Sequence, residues 1–296
     1  MDNRSIIDTI GFEALAEMLF EKNGPDPDEY EEVLRFVDTI KADEVEAFRQ
    51  AMKPILTPAS IIGFCYSKPF GYSGDFFIIE KIYQKFISTD SRYRKWDEFA
   101  HRFPAVIAVV NRKKLAIEVL KQFNEKASVE GEKSVLILGS GPATEVNEYL
   151  SDVQENHLVF DMIDLDQRAI DYAKNKNREY LHCMRFENRN VIRFVPEKQY
   201  DLIWSAGLFD YFKDKHFVFL LKKFYEYVVP GGEMIIGNFN VENPSRKIME
   251  VLGDWFLFHR SKEELLGFAH QANIPAEKAS VLAEPIGVNL FLRTVK

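Results

Sequence analysis

The chain has 296 residues, which allows one large domain or two smaller ones. Hydrophobic residues make up 46% of it, enough for a buried core. Its 46 Asp and Glu residues outnumber its 38 Lys and Arg residues, and the net charge of −8 argues against general binding of nucleic acid or anionic membranes, since both need a basic face. The 25 Phe residues indicate an aromatic-rich core, or else a pocket lined by rings for an apolar ligand.

Cysteine and histidine usage argues against two further kinds of site. The two cysteines, Cys65 and Cys183, cannot build a disulfide framework, so we expect a reducing, cytoplasmic setting. The six histidines are scattered without the spacing of metal ligands, so no metal site is expected. The sequence has neither a signal-peptide pattern nor a run of 18 apolar residues, so we expect no membrane span.

Helical patterns dominate the first part of the chain. Asp26-Pro27 has the residue types of a helix start, and apolar residues then recur at helical spacing from Tyr30 to Ile40. Pro54 and Pro58 interrupt the helix that follows.

A loop with two glycines is predicted over 67–76, where Asp75 is a candidate helix cap. One long helix is predicted over 105–123, and the polar, turn-rich segment 124–133 marks the best domain boundary. We therefore expect a helical domain over 1–128, acting as a lid or making a dimer contact, and a second domain over 129–296.

After residue 133 the pattern changes to strands that alternate with helices, which predicts an α/β fold with a parallel sheet covered on both faces. At the end of the chain, two strands are joined by a turn too short for a crossover, so they should pair antiparallel. The strands are predicted over 134–138, 157–164, 200–206, 233–239, 280–285 and 287–295, and the helices over 167–178 and 217–228, with Pro230-Gly231-Gly232 ending the last helix.

A glycine loop follows the first of these strands. Gly139 and Gly141 lie in the run GSGPA, and glycine allows close approach of a ligand to the backbone. The second strand ends in Asp164, 23 residues after Gly141, where a carboxylate can bind both ribose hydroxyls of a ligand. Asp166 is the competing candidate, although it is better suited to cap the next helix. A turn without a ligand is the alternative reading of the loop alone.

Together, these features resemble class I S-adenosylmethionine methyltransferases over residues 130–296. The resemblance implies a Rossmann-like, seven-stranded sheet with an antiparallel last hairpin, and S-adenosyl-L-methionine as the methyl donor. The donor carries a sulfonium cation, which suits the carboxylates and aromatic rings around these motifs. Further donor-binding residues are expected at the strand ends: Ser140, Leu165, Asn190, Val191, Ser205, Ala206 and Gly207.

Three segments resemble one bacterial family, the extracellular-factor 3-hydroxypalmitic acid methyl ester biosynthesis proteins. They are KPFGYSGDF (68–76), the pair Asn111-Arg112, and GNFNVENPSRKIMEVLGDWFLFHR (237–260). Phe76, Phe77 and His259 depart from the family's pattern. The resemblance implies O-methylation of an apolar, fatty-acyl-like carboxylic acid.

The chemistry of the acceptor decides which side chains it needs. A carboxylate is already ionised and requires a cation or donors to orient it, for which Arg112, Arg246, Arg260 and His259 are candidates. An amine or phenol would instead need a base such as Asp75, Asp210 or His259. The candidate catalytic residues are Tyr72, Asp75, Arg112 and His259, and the candidate substrate-binding residues are Phe209, Tyr211, Asn238, Arg246 and Trp255.

Each candidate also has a structural alternative. The alternative role for Asp75 is a helix cap, and the one for Arg246 is an ion pair on its own helix. Arg112 has two alternatives, holding the domain junction or binding the donor's methionine end. Trp255 and Phe256 are read as part of an apolar helix that packs in the core. Other functions stay open: N- or phenolic O-methylation of another small metabolite, and donor binding without turnover. We expect a small-molecule substrate and no nucleic-acid partner, and a homodimer is left open.

Overall fold

The computed structural model describes residues 10–296. Residues 1–9, part of the stretch without a signal-peptide pattern, lie outside the described residues. Contacts between residues group the chain into two units, the first comprising residues up to Ile107 with Pro244–Phe256, and the second Ala108–Asn243 with Leu257–Lys296. Within 10–296, no helix has the length and apolar character needed to cross a membrane.

The first unit is helical, as predicted. Ser60 and Asp75 cap the helices that follow them, and the buried Asp97 carboxylate accepts the N–H groups of Ile61 (2.7 Å) and Ser88 (2.8 Å). Its helices are α1 (Phe12–Glu21), α2 (Tyr30–Thr39), α3 (Val45–Ala51), α4 (Ile61–Ser67), α5 (Phe76–Tyr83), α6 (Ser91–Ala100) and α11 (Arg246–Val251).

Two expectations for this unit are wrong. Asp26 does not begin a helix: α2 begins at Tyr30, because the Asp26 carboxylate binds Lys95 (2.7 Å) and a turn closes between Asp26 and Glu29. Trp255 and Phe256 are not helical either, since α11 ends at Val251.

The long helix α7 (Pro104–Glu130) extends past the predicted end at residue 123. Residues 124–130 are polar but contain no glycine or proline, and Ala127 is buried, so the helix continues until Gly131, whose φ is +100°. The expected boundary at residue 128 therefore falls inside a helix. The two units divide at Ala108 instead, because the later turns of α7 pack on the sheet. The residues of α7 that do so are Ala116, Val119, Leu120, Phe123 and Ala127.

In the described part of the chain, seven strands form one sheet in the order β3-β2-β1-β4-β5-β7-β6. The first five pair in parallel, and β7 pairs antiparallel with both β5 and β6. This arrangement confirms the predicted fold class. The strands are β1 (Lys133–Leu138), β2 (Leu158–Asp164), β3 (Met184–Asn188), β4 (Tyr200–Ser205), β5 (Val228–Phe239), β6 (Ala279–Ala283) and β7 (Asn289–Val295).

Two apolar clusters cover the faces of this sheet. One face packs against α7 and α8 (Thr144–Asp152), and the other against α10 (Asp214–Tyr225) and α12 (Lys262–Gln271), while α9 (Gln167–Lys176) packs beside β2 and β3. The prediction that Pro230-Gly231-Gly232 ends a helix is wrong, because this run lies inside β5. There the pairing with β4 shifts from Tyr200↔Val228 to Leu202↔Glu233, because Gly231, at φ +80°, lets the extra residues bulge out.

Candidate active site

The glycine loop after β1 has the backbone that glycine permits. Gly139 and Gly141 have φ values of +69° and +52°, and the Gly139 N–H donates to the Ile163 carbonyl (2.8 Å). A Cβ on Gly139 would lie 3.1 Å from the Leu208 Cβ, whereas no atom of residues 10–296 lies within 4 Å of a Cβ built on Gly141. The loop is therefore packed on one side and open at Gly141, where a ligand can approach.

Asp164 at the end of β2 is held against this loop. Its Oδ2 accepts the Gly141 N–H (2.8 Å) and its Oδ1 accepts the Asp166 N–H (2.9 Å). Burial raises the pKa of Asp164, which these two N–H groups offset in part. Asp166 caps α9 by accepting the Arg168 N–H (2.9 Å), so the two acidic residues take different positions, as the sequence predicts.

The segments after β2 and β3 supply apolar and polar surface beside Asp164. Leu165 is 67% exposed, although its carbonyl accepts the Asn188 amide (2.7 Å). Asn190 accepts the Ile192 N–H (2.9 Å) and so forms a turn, while Val191 is buried in the core. Leu165 is thus the most accessible apolar side chain of this group.

The end of β4 lies beside the glycine loop. The Ser205 hydroxyl donates to the Leu138 carbonyl (2.9 Å) and so ties β4 to β1, while Ala206 packs at the edge of the core. Gly207 follows, and a Cβ there would lie 2.9 Å from Nη1 of Arg112. The Ser205 hydroxyl thus joins the ends of two strands, and Gly207 is the residue that makes room for a charged side chain.

Arg112 projects from α7 and is 6% exposed. Its Nε is buried and has no hydrogen-bond partner in the part of the chain that the structure describes. The charges of two buried carboxyl groups, Glu145 in the first turn of α8 and Asp210 after β4, interact with its charge. Burial is the main cause that raises the pKa of Glu145 and of Asp210.

Asp210 is 1% exposed and firmly held. Its Oδ1 accepts the Phe239 N–H (2.7 Å), and its carbonyl accepts the Phe258 N–H (2.8 Å). Burial raises its pKa to about 6, although the Phe239 N–H and the nearby Arg112 and Arg260 favour the charged form. The group is therefore a carboxyl that titrates close to neutral pH.

Arg260 is fully engaged in the loop after β4. Its guanidinium donates to Asn238 Oδ1 (2.8 Å), to Asp214 Oδ1 (3.0 Å) and to the Phe212 carbonyl, and it lies 4.7 Å from the ring centre of Phe217. The Asn238 amide donates to the carbonyls of Phe239 (2.8 Å) and Phe258 (2.9 Å). Both side chains hold the loop, which leaves them little capacity to bind a substrate.

The remaining candidates of this unit differ in accessibility. Phe209 is fully buried against Phe217, with ring centres 4.9 Å apart, whereas Tyr211 is partly exposed. His259 is partly exposed: its Nδ1 lies 3.2 Å from the Leu257 carbonyl and its Nε2 lies 3.2 Å from Nδ2 of Asn243. These contacts favour a proton on Nδ1, with Nε2 accepting from the Asn243 amide.

Four candidates belong to the helical unit. The Asp75 carboxylate accepts the N–H groups of Phe77 and Ile78 (2.9 Å each) as the cap of α5, and Tyr72 in the preceding loop is exposed. Arg246 pairs with Glu250 one turn along α11 (2.8 Å), and Trp255 is buried after the end of that helix. Asp75 thus caps a helix and Arg246 forms an ion pair on its own helix, as their structural alternatives predict.

Sequence reasoning missed Glu145, and it offered Arg260 as a cation for the acceptor rather than as a residue that holds the loop. Glu145 lies four residues after Gly141, and an acidic residue in the first turn of a helix is a recognisable signal. The role of Arg260 had no local signal, because its partners lie 22 to 51 residues away. Among residues 10–296, no cluster of three or more His, Cys, Asp or Glu could hold a metal ion.

Comparison with solved structures finds similar folds. A possible exported protein from Bordetella parapertussis matches with a TM-score of 0.68 and 14% identity over 99% of each chain. The S-adenosylmethionine-dependent methyltransferase SibL, in its apo form, matches with a TM-score of 0.52 and 15% identity, over 86% of this chain and 77% of that one. At these identities the likeness concerns the fold.

Sequence comparisons add a family assignment for part of the chain. No curated protein matches. The family model of a methyltransferase domain matches residues 135–232, which run from β1 into β5 and include the glycine loop, Asp164 and Gly207. The chain is therefore an enzyme with a class I methyltransferase domain, which uses S-adenosylmethionine as its methyl donor.

Proposed function

We propose that the enzyme methylates a carboxylate oxygen of a small, apolar, fatty-acyl-like acid. The observation that carries this proposal is that the three side chains considered as bases are all engaged. Asp75 caps a helix, Asp210 is buried and accepts a backbone N–H, and Nε2 of His259 lies against an amide. An acceptor that is already ionised needs none of them, and a carboxylic acid with a pKa near 4 is ionised at neutral pH.

The donor site that we propose uses the open side of the glycine loop. Asp164 would accept the ribose hydroxyls, while Gly139, Ser140 and Gly141 let the backbone approach, and Leu165 offers apolar surface for the base. The buried Ser140 hydroxyl has no hydrogen-bond partner among the described residues, and a polar atom of the bound donor would supply one. When bound, the donor supplies an electrophilic methyl group on a sulfonium.

The protein's own part in the reaction is then to position the acceptor. In-line displacement at carbon gains most from holding the reacting atoms in place. Tyr211 and His259 are the partly exposed polar side chains beside the loop after β4, and we propose that they contact the acceptor. We further propose a cytoplasmic location and no nucleic-acid partner, on the two cysteines and the net charge of −8.

A substrate screen tests the acceptor. Fatty and aromatic acids are compared with amines and phenols, and release of S-adenosylhomocysteine is measured. We expect turnover of acids, a rate that varies little between about pH 6 and 9, and a gain of about 0.8 kcal/mol per buried methylene until the pocket is full. Turnover confined to amines or phenols would exclude the carboxylate proposal.

One observation favours a second candidate, methylation of an amine or a phenol. A carboxyl whose pKa is raised to about 6 is suited to act as a general base near neutral pH, and Asp210 is such a group. In that case the rate should rise through about pH 6. Replacing Asp210 by Asn would then abolish turnover, whereas an ionised acid would still be methylated.

A further inference from the structure

A guanidinium without hydrogen-bond acceptors among the described residues is buried in the methyltransferase unit. The Arg112 side chain is 6% exposed, and its Nε has no hydrogen-bond partner. Across the described residues 10–296, neither of its terminal nitrogens makes a hydrogen bond or an ion pair. The buried carboxyl groups of Glu145 and Asp210 place negative charge near the guanidinium, but neither accepts a hydrogen bond from it. Buried donors without acceptors cost free energy, so the N–H groups of Arg112 are suited to a ligand that brings acceptor oxygens.

The position of this charge relates it to the donor. The guanidinium lies over Gly207, where a Cβ would be 2.9 Å from Nη1 and 3.0 Å from Nη2. The strand order reverses between β1 and β4, and ligands of open α/β sheets bind in the crevice outside the strand ends at this point. Arg112 therefore borders the crevice in which the donor binds.

The strand order also indicates which end of the donor reaches Arg112. The proposed ribose acceptor, Asp164, ends β2, and β1 separates β2 from β4, so the two strand ends are about 10 Å apart. A donor held by its ribose at β2 and lying across β1 brings its methionine part to β4. The only anion in that part is the α-carboxylate, whereas its ammonium and the sulfonium are cations, which a guanidinium repels.

We propose that Arg112 binds the α-carboxylate of the methyl donor, and that Gly207 is required because a side chain there would displace the guanidinium. The planar fork of arginine matches a carboxylate with two parallel hydrogen bonds. The buried acids Glu145 and Asp210 add negative charge nearby, so the crevice presents both signs, as a zwitterionic amino acid requires. The assignment concerns the donor and holds whichever acceptor is methylated.

Calorimetry on the full chain tests it with matched ligands. Replacing Arg112 by Met should weaken binding of S-adenosylhomocysteine by about 10- to 150-fold, the loss expected for hydrogen bonds to a charged group. Binding of 5′-methylthioadenosine, which lacks the amino-acid part, should change by less than about threefold. Wild-type protein should prefer S-adenosylmethionine to its decarboxylated form, and the Arg112→Met variant should bind the two equally.

Lys121 provides the control, because it carries the same charge on α7, is 41% exposed and pairs with the exposed Asp152. Lys121→Met should leave the affinity for S-adenosylhomocysteine unchanged, and Arg112→Lys, which keeps the charge without the fork, should lie between wild type and Arg112→Met. Equal affinities of the wild-type protein for S-adenosylmethionine and its decarboxylated form overturn the proposal without any variant. An unchanged affinity of the Arg112→Met variant for S-adenosylhomocysteine also overturns it. If the KM for the acceptor rises in that variant, Arg112 is assigned to acceptor binding instead.

Discussion

Replacing Asp210 by Asn should stabilise the protein more at pH 8 than at pH 5. Burial raises the pKa of Asp210 from 3.8 to about 6 in the folded state, although the Phe239 N–H, Arg112 and Arg260 favour its charged form. Because the folded-state pKa lies above the unfolded value, the folded protein binds this proton more tightly. The corresponding stabilisation is fully present below about pH 4 and is lost as the pH rises through about 6.

The pKa difference sets the size of the effect. About two pKa units correspond to about 3 kcal/mol of unfolding free energy. For one group with these two pKa values, about 1.4 kcal/mol of this stabilisation is lost between pH 5 and pH 8. The wild-type protein loses that amount over the interval through Asp210, whereas the Asp210→Asn variant cannot, because its amide does not titrate.

Urea denaturation of both proteins without donor, followed by circular dichroism between pH 5 and pH 8, measures the effect. Subtracting the two curves removes the contributions of the other titrating groups. Asp210→Ala is the control: it also removes the acceptor of the Phe239 N–H, so it should be about 1–3 kcal/mol less stable than Asp210→Asn at each pH, with the same pH dependence. The reasoning is refuted if the difference between wild type and Asp210→Asn is independent of pH, or is larger at pH 5.

Two other predictions concern the donor site and the loop after β4. Asp164→Ala should weaken binding of S-adenosylhomocysteine by about 30- to 1000-fold in calorimetry, and Asp166→Ala should do less damage, since it removes a helix cap; the reverse order would contradict the ribose assignment. Arg260→Met should cost about 3–5 kcal/mol in urea denaturation, because it leaves buried acceptors unpaired. Its control, Arg94→Met, breaks the pair with Glu98 on α6, in which the two side chains are 67% and 43% exposed, and should cost about 0–1 kcal/mol; equal losses would show that burial is not the cause.

The parallel sheet was predictable from the sequence because its signals are local. Short apolar runs alternate with helical patterns, and the spacing between Gly141 and Asp164 is set by one strand, one helix and a second strand. The structure joins these two residues directly, through the hydrogen bond from the Gly141 N–H to the Asp164 carboxylate. Asp166 was also assigned correctly, since a cap depends only on the residues next to it.

The wrong expectations have a common physical cause, in that tertiary contacts overrode local propensity. The polar residues 124–130 stay helical while Ala127 packs against the sheet, and Asp26 binds Lys95 rather than capping α2. Pro230 would stop a helix, yet here it lies in a bulge of β5, whose ends pair with β4 on either side.

Sequence patterns alone predicted the fold class, the glycine loop after β1 and the different positions of Asp164 and Asp166. It could not rank its three candidate arginines, Arg112, Arg246 and Arg260, because each is a similar cation near a recognisable motif. The contacts of the folded chain distinguish them. Arg246 pairs on its own helix, and the donors of Arg260 go to residues 22 to 51 positions away. Within residues 10–296, Arg112 is the one of the three whose guanidinium is buried without a hydrogen-bond acceptor, because the acceptors around a buried group are set by what folding brings next to it.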